Sequence, residues 1–148
     1  MICLLCDHKD LVEFLDLGHQ PLANKYPAAS DLENEDFFPL TMLFCPRCKN
    51  VQLGTQVSRR RMFEDYYYLS SVNGALVRHF ETLAGKLADA RFVVDVGSNV
   101  GILLQPLKDR RLNALGVEPS INVSKIANDL GLRTVTAFFD VPTAVDIR

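Results

Sequence analysis

Ten residues, Phe92-Val93-Val94-Asp95-Val96-Gly97-Ser98-Asn99-Val100-Gly101, limit the fold more than any other stretch of the chain. Phe92, Val93, Val94 and Val96 form a β-prone apolar run without alternation, which predicts a strand covered on both faces. Gly97 lets the backbone turn sharply and lets a ligand come close. Gly101 removes a side chain where a helix must approach the strand or the ligand. Asp95 is an acid near the carboxyl end of the strand, where open α/β sheets bind ligands. The stretch therefore predicts a strand, a glycine turn and a helix, with a binding site at the turn.

The following residues extend this unit. Ile102 to Gln105 continue as a buried helix, which Pro106 should kink or shorten by removing a hydrogen bond. Leu112 to Ser120 reads as a second strand ending in Glu118. Ser120 can cap a helix carrying Val123, Ile126, Ala127 and Leu130, closed by Gly131. A third strand is expected from Arg133 to Thr136. A β-α-β-α-β series implies a parallel sheet with right-handed crossovers. Upstream, Leu76, Phe80, Leu83 and Leu87 form one helical stripe, capped by Ser71 or Asn73. His79 falls beside that stripe and reads as structural. Tyr66, Tyr67 and Tyr68 are adjacent and cannot all point one way, so some pack and some can place a hydroxyl in a cleft. Arg59-Arg60-Arg61 reads as a solvated face or helix start.

Glu118 lies 17 residues after Gly101, where dinucleotide folds place an acid on the ribose hydroxyls. The turn lacks the third glycine of GxGxxG, and Asp95 precedes it. A pyrophosphate favours helix-start N–H groups without a nearby anion. An acid beside the turn suits a ligand with a cationic end, such as the amino-acid part of S-adenosylmethionine. The plain alternative is a strand, turn and helix without a ligand; a nicotinamide enzyme fits the glycines least well.

The four cysteines fall into two matched pairs, Cys3-x-x-Cys6 and Cys45-Pro46-Arg47-Cys48. Two such turns can complete the tetrahedral shell of a structural zinc. Four buried reduced thiols are the alternative, and no βαβ context supports a thioredoxin-like role. The 38 intervening residues must fold back. They include Leu15 to Asn24, where Gly18 and Pro21 suit a turn and an extended segment, and the acidic run Asp31 to Asp36. Phe38 to Phe44 and Val51 to Leu53 read as strands flanking the second pair. His8 and His19 are not needed as ligands.

Composition sets the outer bounds. The chain has 148 residues, 48% apolar and 23% charged, enough for one domain or two small ones. A net charge of −2 argues against a dedicated nucleic-acid binder. No apolar run suits a membrane span, and the N-terminus lacks signal-peptide features, so the cytoplasm is the expected compartment.

In combination these motifs resemble the S-adenosylmethionine-dependent sugar C-methyltransferases, which join a small zinc-binding domain to a class I methyltransferase domain. The resemblance rests on both cysteine pairs, Leu17 to Asn24, Val51-Gln52-Leu53, Tyr66 to Ser71, Asp95 to Gly101 and Gly116-Val117-Glu118-Pro119. It implies an α/β chain with a zinc-ribbon-like domain over residues 1–57, a connector with a helix over 58–91, and a partial Rossmann-like domain over 92–148. It further implies zinc on Cys3, Cys6, Cys45 and Cys48. S-adenosylmethionine would lie against Asp95, Gly97, Ser98, Asn99, Gly101, Glu118 and Pro119, with Tyr66 and Tyr68 lining the active site. The implied substrate is a nucleotide-linked keto-deoxysugar. Only 57 residues follow the start of the first parallel strand. The later strands and general base of such enzymes are thus expected elsewhere, for instance in a second chain, and these residues alone should show little or no activity. A zinc-bound scaffold without catalysis is the alternative.

Overall fold

The computed structural model describes Met1–Arg148, which divide into two compact units, Met1–Met62 and Phe63–Arg148.

The first unit is an antiparallel sheet of three strands, β1 (Val12–Pro21), β2 (Phe37–Phe44) and β3 (Val51–Leu53), in that order. Of the turn and extended segment expected here, the extended part is found: Leu17 to Pro21 continue β1, and Gly18 opens no turn that ends the strand. The pairing absorbs them through irregularities between Glu13 and Leu15 and between Asp16 and His19. Gly18 lies in the second of these with φ +69°, and its N–H donates to Asp16 Oδ1 at 2.8 Å. A glycine in this conformation lets a strand bulge without ending. The acidic run falls largely within a 3₁₀ turn, Ala29–Asn34. The basic run opens the short helix α1 (Arg59–Phe63), where Arg61 pairs with Asp36 and lies 5.9 Å from the Phe38 ring centre.

In the second unit, α2 (Gly74–Lys86) precedes β4 (Val93–Val96), α3 (Leu104–Asp109), β5 (Ala114–Val117), α4 (Ile121–Asp129), β6 (Thr134–Val135) and α5 (Val141–Asp146). The strands are all parallel in the order β4-β5-β6, with Val93 beside Ala114, Asp95 beside Gly116 and Gly116 beside Thr134. Asn73 caps α2 by accepting the N–H groups of Ala75 and Leu76, each at 3.1 Å. Three residues of the predicted stripe, Phe80, Leu83 and Leu87, pack on buried Ala84, Leu103 and Leu107, joined by Val93 from the sheet, while Leu76 stands outside this cluster. A second cluster, Leu104, Ala127 and Leu132, joins α3 to α4.

Pro106 acts by shortening. The N–H groups of Gln105 and Leu107 reach the carbonyls of Gly101 and Leu103, but Pro106 has none to give, and regular helix spans six residues only. At the end of α4, Gly131 has φ +69°. Its N–H reaches Asn128 O at 2.8 Å and that of Leu132 reaches Ala127 O at 3.0 Å. This paired closure drives Leu132 back into the second cluster. No helix is long and apolar enough to cross a membrane.

Candidate metal centre and ligand-binding turn

The two cysteine pairs fold as near copies of one turn. Cys3 N–H bonds to His8 O and Asp7 N–H to Cys3 O; Cys45 N–H bonds to Asn50 O and Lys49 N–H to Cys45 O, all between 2.8 and 3.0 Å. Asp7 and Lys49, each four residues after the first cysteine, share the left-handed conformation at φ 59° and 66°. Gln52 ties the first turn to β3: its Nε2 donates to Ile2 O at 3.1 Å and its Oε1 accepts Leu4 N–H at 2.9 Å.

All four sulfurs lie within 4.8 Å of one another, with Cys3 to Cys48 at 3.5 Å and Cys6 to Cys45 at 3.7 Å. A zinc at about 2.3 Å from each sulfur makes a tetrahedron with edges of about 3.8 Å. The donor set therefore fits zinc, and neither His8 nor His19 belongs to the cluster. The thiols need such a cation. Burial opposes ionisation of Cys3, but the N–H groups of Leu5 and Cys6 and the Cys48 and Cys45 thiols hold it down to about 6. At Cys48 the Asn50 N–H favours the thiolate, yet burial and the three neighbouring sulfurs push the thiol up to about 12. Four thiolates together need positive charge at the centre.

In the second unit, the predicted ligand residues gather at the carboxyl ends of β4 and β5. Gly97 turns the chain with φ +76°, and its N–H reaches Val117 O at 2.8 Å. A side-chain carbon at Gly97 would meet nothing within 4 Å, so the turn is open there. Gly101 is different. Its φ is +83°, and a side-chain carbon would lie 2.5 Å from Leu132 Cδ1. This glycine serves packing beneath the turn. Ser98 is buried, and its hydroxyl has no hydrogen-bond partner. Its Oγ occupies the space that a side-chain carbon on Gly116 would need, only 2.4 Å away.

Glu118 is 5% exposed and joins the two strand ends. Its Oε2 accepts Asn99 N–H at 2.9 Å and its Oε1 accepts Ser120 N–H at 2.8 Å. Ser120, expected to cap α4 through its hydroxyl, makes no such bond. Each Glu118 oxygen keeps a lone pair for a further donor. Burial, and then the charge of Glu118, push Asp95 up to about 6. Two acids beside an open glycine turn fit a ligand with a cationic end. Pro119 follows, half-buried.

The tyrosine segment runs beside these strand ends. Asn99 Oδ1 accepts Ser70 N–H at 2.9 Å and the Ser70 hydroxyl at 3.0 Å, while Asn99 Nδ2 donates to Tyr68 O at 2.9 Å. Asn122 Oδ1 accepts Tyr66 N–H at 3.2 Å, and its Nδ2 donates to Tyr66 O at 2.8 Å. Tyr66 and Tyr68 face each other edge-on at 6.5 Å between ring centres. Tyr67 diverges, donating its hydroxyl to exposed Asp65 at 3.2 Å. Asn122 and Ser70 were not legible as site residues, because each acts on a segment distant in sequence. An apolar cleft of about 310 Å³ lies between α2, α3 and α4; it touches Gly101 but neither Glu118 nor the tyrosines.

Residues 3–63 match the family described as "Putative zinc binding domain". They carry its zinc site in the four-cysteine cluster. Across the chain, a 152-residue alignment at 30% identity pairs 98% of it with the C-methyltransferase NovU of Streptomyces niveus. The chain is thus similar to this C-methyltransferase along nearly all of its own length. It spans 36% of that relative's length. Among solved structures, the plantazolicin methyltransferase BamL, in complex with a triazolic desmethylPZN analog and SAH, matches 49% of this chain and 29% of its own. The TM-score is 0.36 at 17% identity. Together, the N-terminal four-cysteine cluster and the parallel three-stranded sheet make a mixed α/β chain consistent with a partial methyltransferase fold.

Proposed function

We propose that this chain is the zinc-bearing front part of an S-adenosylmethionine-dependent C-methyltransferase that acts on a nucleotide-linked keto-deoxysugar. The observation that carries the reading is the alignment of 98% of the chain with a C-methyltransferase. The site geometry supports it by setting the open turn at Gly97 between Asp95 and Glu118. When bound, the cofactor supplies an electrophilic methyl group. Gly97, Ser98, Asn99 and Gly101 shape the turn that would receive its amino-acid end, with Asp95 as counter-charge for the ammonium. Glu118 offers its remaining lone pairs to ribose hydroxyls, and Pro119 borders them.

The sugar reading rests on the resemblance. Methylation beside a keto group needs proton removal and stabilisation of the resulting enolate. Tyr66 and Tyr68, whose main chains are bonded by Asn122 and Asn99, are the candidates to orient the keto oxygen through a hydroxyl. The four thiolates hold a closed, structural zinc, and the division into residues 1–57, 58–91 and 92–148 would separate metal binding from cofactor binding.

Calorimetric titration of the zinc-loaded chain with S-adenosylmethionine tests the reading. Saturable binding that weakens at least tenfold in Glu118→Gln supports it, since a charged hydrogen bond carries about that factor. Absence of heat at millimolar cofactor would leave a zinc-bound scaffold as the better description.

A further inference from the structure

Asn99 helps shape the proposed ligand turn with its main chain, and Asn122 has no part in that turn; the side chains of both are turned to another task. Each grips the tyrosine segment from a different element. Asn99 lies in the β4–α3 turn at φ 50° and spends its side chain on that segment. Its Oδ1 takes the Ser70 N–H and hydroxyl, and its Nδ2 reaches Tyr68 O. Meanwhile its own N–H is taken by Glu118. Asn122, at the second position of α4, holds Tyr66 by both main-chain groups, as a β-partner would. One residue earlier, Ile121 N–H reaches Glu64 O at 3.0 Å.

We infer that Asn99 and Asn122 are positioning residues that clamp Glu64 to Ser70 across the carboxyl ends of β4 and β5 and thereby fix Tyr66 and Tyr68 over the ligand turn. The inference deepens the proposed function and rests on it for what the tyrosines face. Three features support a clamp over incidental contact. The segment from Glu64 to Leu69 has no regular secondary structure to hold it. The two amides sit on either side of Tyr67, the tyrosine that points out to Asp65. Asn99 also links the clamp to Glu118, so a ligand that draws on the Glu118 carboxylate acts on the same turn that holds Ser70 and Tyr68.

The side chain of Asn99 is therefore committed to the protein. Its Oδ1 uses both lone pairs, and one Nδ2 hydrogen is spent. What it can offer a ligand is the remaining Nδ2 hydrogen and the shape of the turn.

Amide hydrogen exchange in the zinc-loaded full chain, without cofactor, tests the clamp itself. Asn122→Ala suits a helix and leaves α4 intact. It should speed exchange at Tyr66 about fivefold or more, the factor carried by one hydrogen bond of ordinary strength, and leave the β5 amides unchanged. Asn99→Gly keeps the left-handed turn without strain and should do the same at Ser70. Unchanged exchange at Tyr66 and Ser70 in these variants overturns the clamp. Cofactor titration of the same proteins then separates the two ideas. A clamp that positions the tyrosines predicts that Asn122→Ala, which touches no proposed cofactor residue, abolishes any ligand-induced change in tyrosine fluorescence while binding heat persists. A fluorescence change equal to that of the parent overturns the positioning role. If the parent chain itself gives no binding heat, the proposed function fails while the exchange result still stands.

Discussion

Asp95→Asn should make the chain more stable at neutral pH. Asp95 is partly buried beside Glu118, and these two causes, burial first, raise its carboxyl from 3.8 to about 6. At about 1.4 kcal/mol per pH unit, holding Asp95 ionised costs the folded state at most about 3 kcal/mol. The sign follows from proton binding. Between about pH 4 and 6 the folded chain holds more protons than the unfolded chain, so stability falls as pH rises through that window and levels off above it. Asparagine removes the charge. The variant should exceed the parent by about 1–3 kcal/mol at pH 7, and the gap should close toward pH 4. Urea unfolding followed by tyrosine fluorescence reads this, because three of the four tyrosines lie in the second unit and the chain has no tryptophan. Taking the difference between the two proteins cancels the acid sensitivity of the shared cysteine site. A gap that is equal at pH 4 and pH 7, or a variant less stable at both, would refute the reasoning. The same substitution should weaken S-adenosylmethionine binding, so stability and affinity move in opposite directions.

The two glycines of the turn should separate in the same unfolding assay. Gly101→Ala adds a clash with buried Leu132 to an unfavourable φ and should cost about 2–4 kcal/mol, whereas Gly97→Ala, with open space around it, should cost about 1 kcal/mol and act mainly on ligand binding. Metal analysis should find about one zinc per chain, and Cys48→Ala should abolish stoichiometric retention because only three thiolates remain for a four-ligand site. Circular dichroism should then retain the helical signal of the second unit; its loss would contradict independent folding. Asn73→Ala removes the cap of α2 and should lower stability by about 1 kcal/mol, with no effect on metal content.

The parallel unit was legible in the sequence where a residue type permits few conformations. The β-prone run at Val93 to Val96, Gly131 after a helical stripe, and Asn73 before one each dictate a local structure that tertiary contacts then keep, but the cover expected on both faces of that strand is absent: Val96 is 55% exposed, and Phe92, also exposed, precedes the strand. The cysteine pairs were legible because metal geometry restricts their spacing. What escaped was set by partners far along the chain. Nothing near Ser120 says that Glu118 will take its N–H and leave the hydroxyl uncapping. Nothing near Tyr66 says that Asn122 will bind it from 56 residues away. The fate of Leu17 to Pro21 depended on β2 as well: Gly18 and Pro21 suit a turn, but a facing strand recruited them through a bulge.

Ser98 and Gly116 carry a consequence for how such a site can change. The hydroxyl of one fills the void left by the other, so the two positions constitute a single substitutable unit. Alanine at 116 collides with Ser98, yet glycine at 98 would remove that obstacle and leave the flexible Leu104 methyl, at 2.8 Å, as the next to yield. The double change should therefore be milder than the sum of its parts. Drift at the floor of the turn is expected to proceed in compensated pairs.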